Sequence, residues 1–179
     1  MMGLADPDDR AEIVQSRAEK HVRDVAFVLR CSGAATVSFM LGQAVGLPHP
    51  VWAAMSGIIV SQERLGETRD ATVSRLLGTL VGVAIAVTVG TLTTPLGIAI
   101  AAKVAMSVGL AAAVARLYPP LRVCMWTCPI VFLTGDPESS YLLVGVYRGT
   151  EVLLGGITGA LLHVMAEAVI RRIFDHGRQ

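Results

Sequence analysis

Two cations lie inside apolar segments of this sequence, at matching positions in its two halves. Arg30 and Lys103 each follow the start of an apolar segment by a few residues. A charge in hydrocarbon costs several kcal/mol unless it pairs, faces water or reaches the headgroups. Either each side chain extends to the nearest membrane surface, or both face one aqueous cavity between the halves. Their matched placement favours the cavity, whose positive potential would suit an anion.

A second set of residues could hold a flat anion at the mouth of such a cavity. Trp52 and Trp126 begin two short apolar segments, and Arg75 and Arg148 open two longer ones. Tryptophan at that depth is typical of the aromatic belt, and arginine of an interface anchor. Arg148 could also pair with Glu151, three residues on. The functional alternative is that the indoles stack on a ligand while the guanidinium groups bind its charge.

The last apolar segment carries titratable residues at four-residue spacing. Glu151, His163 and Glu167 share this spacing with Gly155 and Gly159. An imidazole can change its charge near neutral pH, so His163 is a candidate proton carrier. The alternative is an imidazole that is hydrogen-bonded between two helices.

The cysteines and the absent motifs argue against a disulfide framework, a metal site and an enzyme. Cys31, Cys124 and Cys128 are an odd set inside apolar segments, and the last two have no second ligand pair nearby. The sequence contains no phosphate-binding loop, no nucleophile elbow and no zinc-protease motif. We expect no catalytic residue, no metal and no cofactor, and any energy source would be a gradient or a partner.

The composition indicates an integral membrane protein. Of the 179 residues 53% are hydrophobic and 16% are charged, with a mean hydropathy of +0.60. A formal net charge of +1 makes nucleic acid an unsuitable partner, because a phosphate backbone requires a basic excess. The first 25 residues are charged throughout, so we expect no removable signal peptide.

An internal repeat predicts how these segments are arranged. The glycine-rich run at 76–82 recurs at 153–159, an offset of roughly 75 residues that also relates the two tryptophans and the two buried cations. We expect apolar spans at about 26–47, 50–62, 72–92, 96–118, 121–134 and 149–170. Because each half has three spans, the second half has the opposite orientation in the membrane, as in many transporters. The predicted fold class is an all-α integral membrane protein, a six-span bundle of two inverted three-helix repeats.

The predicted domain organisation follows from these spans. Residues 1–25 form a cytoplasmic amphipathic helix, 26–172 the membrane domain with repeats 26–92 and 96–172, and 173–179 a short tail. The middle span of each repeat is short and begins beside prolines, which is the best sequence pointer to a central site.

The distribution of basic residues predicts an inner-membrane protein with both termini in the cytoplasm. Most lysines and arginines then lie inside, and the outer loops hold few of them. The inside would carry Arg10, Arg17, Lys20, Arg23, Arg64, Arg69, Arg75, Arg116, Arg122, Arg171, Arg172 and Arg178.

Glycines at four-residue spacing predict close helix packing. Gly78 and Gly82 share one face of the third span, and Gly155 and Gly159 share one face of the sixth. Small residues let helix backbones approach where lipid removes any hydrophobic drive; the alternative is that these glycines line a pathway. These glycine faces offer more close-packing surface than one small bundle uses, so we expect a homodimer or higher oligomer in contact with lipid.

The residues at 47–54, 61–68 and 75–82 resemble the membrane domain of the fusaric acid resistance and aromatic acid exporter superfamily. The shared pattern is a proline before Trp-Ala-Ala, a short span, a Gly-x-Thr turn and an Arg-Leu-Leu-Gly-Thr helix start. Trp52, Arg75, Gly78 and Thr79 match it in the first repeat, whereas Val152 stands where Arg75 would align in the second. The resemblance covers most of 25–172. It implies a six-span bundle, export of small organic anions such as aromatic carboxylates, and a relationship to plant malate channels.

The sequence therefore predicts a transporter that exports small organic anions through a cavity between inverted repeats. The chain ends soon after Arg172, whereas many relatives continue into a cytoplasmic region or a second membrane set. Two alternatives stay open: a non-transporting scaffold or accessory subunit of a larger efflux assembly, and a passive anion channel.

Overall fold

The structure is a bundle of α-helices. A computed structural model describes the backbone of residues 7–61, 65–135 and 139–175, and side chains over 20–61, 69–135 and 139–172. The helices are α1 (Pro7–Ala44), α2 (Val51–Val60), α3 (Leu65–Thr93), α4 (Ile100–Leu117), α5 (Cys124–Leu133) and α6 (Tyr141–Asp175), with a 3-10 turn at Pro119–Leu121. Within these ranges the chain forms no strand.

Four helices are long and apolar enough to cross a membrane: α1, α3, α4 and α6. The other two, α2 and α5, have 10 residues each. At 1.5 Å per residue, each is about 15 Å long, half of the roughly 30 Å hydrocarbon layer. Pro50 caps the start of α2, and Pro129 lies within α5. The prediction of six complete spans is thus confirmed for four, and α2 and α5 are too short to cross alone.

The ends of the helices differ from the predicted spans. The N-terminal helix and the first span are one continuous helix, α1, with no break near residue 25. The side chains of its predicted amphipathic face before residue 20 lie outside the described residues, as do residues 176–179 of the predicted tail. Helices α3 and α6 begin at Leu65 and Tyr141, well before the predicted 72 and 149. Arg75 and Arg148 therefore lie within their helices, not at their starts.

Glycine contacts determine which way the helices run. On α6, Gly155 meets Ala53 of α2 and Gly159 meets Gly57 of α2, so these two helices are parallel. Gly78 of α3 contacts residues 121–124, which lead into α5, and Gly82 contacts Cys124 and Thr127 of α5, so that pair is also parallel.

The third helices of the two halves run in opposite directions. Gly145 and Gly156 of α6 lie against Val83 and Thr72 of α3, respectively. Inverted halves require this direction, although a two-fold relation between the halves stays a prediction. The glycines also take the packing role that their spacing predicts, because each of the two glycine faces lies against a short helix.

Large apolar side chains cover the outside of the bundle, and small residues fill its centre. A core of Ala86, Ala111, Cys124, Cys128 and neighbouring residues lies between α3, α4 and α5. All three cysteines are free thiols. Exposed leucines, valines and methionines lie along every long helix, as expected for a surface in contact with lipid.

Described parts of three connections meet at one end of the bundle, which we call the predicted outer end: residues 45–50, residues 94–99, and residues 134–135 with 139–140. Pro48 and His49 line one cavity with Thr134 and Gly135, and residues 94 and 95 line another with Gly135. The positive-inside rule predicts that this end faces away from the cytoplasm.

The close contact of α6 with α2 predicts that Gly155 tolerates no side chain. A methyl group at Gly155 would collide with the carbonyl oxygen of Ala53, whereas one at Gly109 of α4 meets nothing within 4 Å. Gly155→Ala should destabilise the fold by about 1–3 kcal/mol, as overpacking does. Gly109→Ala should be neutral or gain about 0.5–1 kcal/mol of helix propensity. Unfolding by SDS in mixed micelles measures both; equal stability of the two variants would contradict the packing.

The loops on the two sides of α4 predict opposite labelling. Leu96 is 72% exposed before α4 and Tyr118 is 62% exposed after it. In a background with Cys31, Cys124 and Cys128 replaced by serine, Leu96→Cys should react with an impermeant maleimide in intact cells. Tyr118→Cys should react only after permeabilisation. The reversed pattern would contradict the predicted orientation, and labelling of both from outside would contradict a crossing by α4.

Candidate functional site

Arg148 is a buried guanidinium on α6. The helix begins at Tyr141 because Ser140 caps it: Leu143 N donates to Ser140 Oγ at 3.2 Å. Arg148 therefore lies about two turns inside the helix and is 2% exposed. No residue that the structure describes accepts a hydrogen bond from any of its three guanidinium nitrogens. Five N–H donors of a charged group are thus available at this point.

Trp52 covers one face of this guanidinium. It is the second residue of α2, and its ring centroid lies 4.2 Å from Arg148 Cζ. A desolvated cation–π contact contributes about 2 kcal/mol or more, whereas burying an ion costs several kcal/mol. The indole offsets only part of that cost and accepts none of the in-plane N–H bonds. The edge of the guanidinium stays suited to a carboxylate or another anion.

A second buried arginine reaches the same helix from α3. Arg75 is 3% exposed, and its Nε donates to Ser56 Oγ of α2 at 3.2 Å. The positive charges of Arg75 and Arg148 are close enough to repel each other. Two like charges beside one short helix give this part of the bundle a positive potential, which an anion would relieve.

Glu151 stands one turn beyond Arg148 and is 1% exposed. Its Oε1 accepts a hydrogen bond from His49 N at 3.0 Å and lies 4.0 Å from His49 Nδ1. The ion pair of Arg148 with Glu151 that the sequence allows is absent among the described residues: the partner within 4.0 Å of Glu151 is His49.

Two cavities meet at the predicted outer end. The first is a cavity of about 50 Å³ lined by His49, Arg148 and Glu151. The second is a cavity of about 630 Å³ lined by Lys103 and by hydroxyl groups of residues 91, 94, 139, 140 and 141. Both include Gly135, Ser139 and Val144 in their walls, so they adjoin each other.

Lys103 is held at the wall of the larger cavity. It is 5% exposed, and its Nζ donates to Thr94 Oγ1 at 2.9 Å and to Tyr141 OH at 3.2 Å. The same Nζ lies 5.4 Å from the centroid of the Tyr141 ring. These contacts hold the ammonium group of Lys103 at the wall of this cavity.

Arg30 lies at the other end of the bundle. It lines an apolar cavity of about 540 Å³ between α1 and α6, together with His21 and Ile170. Its Cζ lies 5.4 Å from the centroid of the Phe27 ring. Arg30 and Lys103 therefore do not share a cavity in this structure.

The remaining predicted residues lie away from Arg148. Trp126 on α5 is 47% exposed and lines none of the cavities described above. His163 is fully buried on α6, within electrostatic range of Arg30 and Glu167. The structure thus brings Trp52, Arg75 and Arg148 together and leaves Trp126, Arg30 and His163 elsewhere.

Sequence reasoning missed two members of the site, Ser56 and His49. Ser56 lies four residues after Trp52, so a helix at 51–60 places both on one face. That spacing could have predicted Ser56 as a member of the site. The contact of His49 with Glu151 spans 102 residues and leaves no local signal.

The fold and this site define a class: a multi-pass helical membrane protein with buried cations beside internal cavities. The sequence model of a family described as fusaric acid resistance protein-like matches residues 36–162, more than half of the chain. The chain belongs to that family. No curated protein and no solved structure matches it. Family membership is consistent with a role in membrane transport or resistance and with a non-enzymatic protein.

The stacked pair predicts that Trp52 reports on anion binding. In a Trp126→Phe background Trp52 is the remaining indole, since the chain has two tryptophans. Adding benzoate to the purified protein should shift or quench its emission, because an anion at Arg148 changes the field on the ring. The response should saturate, and Arg148→Gln should weaken it at least about tenfold, the loss of one charge-assisted contact. Trp52→Phe, which retains Trp126, is the control; an equal response there would contradict the site.

Proposed function

We propose that this protein exports small organic anions, aromatic or other carboxylates, across the cell's inner membrane, with Arg148 as the anchoring charge. The observation that carries this proposal is the buried guanidinium with no described acceptor. Membership in a fusaric acid resistance protein-like family supports a transport role. The proposal needs no catalytic residue, metal or cofactor.

The chemistry of Arg148 favours a carboxylate. A guanidinium presents parallel N–H groups that bind both oxygens of a planar carboxylate, which a lysine cannot do. The ring of Trp52 keeps the guanidinium plane fixed from one side. Arg75 adds positive potential while its own Nε stays bonded to Ser56.

The adjoining cavities suggest how a carboxylate of moderate size would sit. About 50 Å³ beside Arg148 is too small for an aromatic acid, whereas 630 Å³ beside Lys103 falls in the range of ligand pockets, roughly 300–1,000 Å³. We infer that the carboxylate faces Arg148 while the body of the ligand occupies the Lys103 cavity. The hydroxyl groups there would also favour ligands with ring substituents that hydrogen-bond.

Transport through the bundle would require α2 and α6 to separate. The Gly155 and Gly159 contacts with α2 lie between the Arg148 site and the Arg30 cavity. We infer that Lys103 and Arg30 serve the pathway at its two ends and that the contact between α2 and α6 is the closed barrier. Rocking of one half against the other is the movement that inverted repeats use.

The assembly belongs to the same proposal. We infer a homodimer or higher oligomer in the inner membrane, with both termini in the cytoplasm. A scaffold or accessory subunit of a larger efflux assembly is the alternative, and a passive anion channel is the third reading.

Efflux from loaded cells tests the proposal. Cells expressing the protein should release benzoate and its hydroxylated analogues faster than cells with empty vector. Arg148→Gln should slow release about tenfold or more at equal protein abundance. Arg148→Lys should recover part of the rate, because lysine restores the positive charge but not the two parallel N–H groups of the guanidinium.

Arg116→Gln is the matched control, because Arg116 is exposed at the end of α4, away from both outer cavities. Full activity of Arg148→Gln would contradict the site. No release by the wild-type protein for any ligand tested would favour the scaffold. Release that follows the membrane potential without saturation would favour the channel.

A further inference from the structure

The Arg148 site contains a carboxyl group that transport of an anion alone does not need. Glu151 and Arg148 line the same small cavity and lie three residues apart on α6, so their side chains are neighbours. They nevertheless form no ion pair within 4.0 Å in the described part of the chain, and Glu151 instead accepts the backbone N–H of His49. Arg148 thus has two anionic partners available to it: Glu151 and a bound ligand.

We propose that Glu151 takes up one proton when an anion binds at Arg148, so that proton and anion cross the membrane together. This inference rests on the proposed function and adds its coupling. Two negative charges in one buried site repel each other, and protonation of one of them removes the repulsion. Binding of the proton and binding of the anion therefore assist each other, by the reciprocity of linked equilibria.

The proton balance is simple. Water on the side where the anion loads supplies the proton to Oε2 of Glu151, the oxygen that does not accept the His49 N–H. When the anion leaves on the other side, Arg148 again attracts the carboxylate, and the proton returns to water there. One monoanion with one proton moves no net charge. Export then runs down the gradient of the ligand, and an inward proton gradient opposes it.

The charged and titratable groups around Glu151 determine which control variants a test of its protonation needs. Arg148 and Tyr147 of α6 line the same cavity as Glu151, and His49 faces it from the connection before α2. Arg75 of α3 is bonded to Ser56 of α2. From the connection between α5 and α6, the described lining residues carry no charge; Asp136 and Glu138 lie outside the described residues. His49 is thus the described group whose titration could be mistaken for that of Glu151.

The first test measures binding of benzenesulfonate, which stays ionised throughout, to the Trp126→Phe protein between pH 8 and pH 5. The wild-type site should bind more tightly toward acid by roughly 5- to 150-fold, the usual range of coupling between sites. Glu151→Gln imitates the protonated carboxyl and should bind at every pH as the wild-type site does in acid. His49→Gln keeps the backbone N–H and should keep the pH dependence.

The second test uses proteoliposomes with a pH-sensitive dye inside. A benzenesulfonate gradient should move one proton with each anion through the wild-type protein, and Glu151→Gln should move the anion without the proton. If Glu151→Gln does not fold, the wild-type ratio still decides, and Glu151→Asp should preserve it.

The outcomes separate the two proposals. Absence of binding at every pH refutes the proposed function. Three results refute coupling through Glu151 while leaving the proposed function intact. They are binding with no pH dependence, transport of the anion with no proton, and a pH dependence that His49→Gln removes and Glu151→Gln keeps.

Discussion

The backbone contact of α2 with α6 is the constraint on which the site depends. A helix of 10 residues is marginal by itself, and lipid provides no hydrophobic drive for it to join a bundle. Close approach to Gly155 and Gly159 supplies dispersion contacts instead, and Gly57 brings α1 equally close from the other side. Trp52, the residue before Ala53, stacks on Arg148, which lies about two turns before Gly155 on α6. The stacked pair and the glycine contact thus join the same two helices at neighbouring levels.

The same contact separates the positive charges of the bundle into two compartments. Arg148 and Lys103 line cavities at the predicted outer end, and Arg30 lines the cavity at the other. At the two glycines α2 and α6 are held by van der Waals contact, and the stack of Trp52 on Arg148 joins the same two helices. The glycine contact thus lies between the cavity lined by Arg148 and Glu151 and the cavity lined by Arg30.

The sequence predicted the helical class, the short middle helices and the glycine faces, because each has a local cause. Prolines precede α2 and α5, and four-residue spacing places the glycines on one stripe. The start of α6 was wrong because 141–148 was taken as a connection, although Ser140 provides an ordinary N-cap. That error placed Arg148 at a membrane interface instead of in the core. Arg30 and Lys103, which the sequence placed around one cavity, line two different cavities, because matched positions in inverted halves lie at opposite ends.

The two halves differ most where the chemistry is. An inverted repeat would place a second stacked pair on α5, yet Trp126 is half-exposed and lines none of the three cavities. Arg75 lies on α3, the third helix of the first half, and it also contacts α2, through Ser56. Both arginines therefore converge on the short helix of the first half, and Lys103 adds its charge at the same end. The glycine contacts therefore repeat in both halves, because each short helix has to be packed, whereas the two buried arginines converge on one short helix and have no counterpart on the other among the described residues.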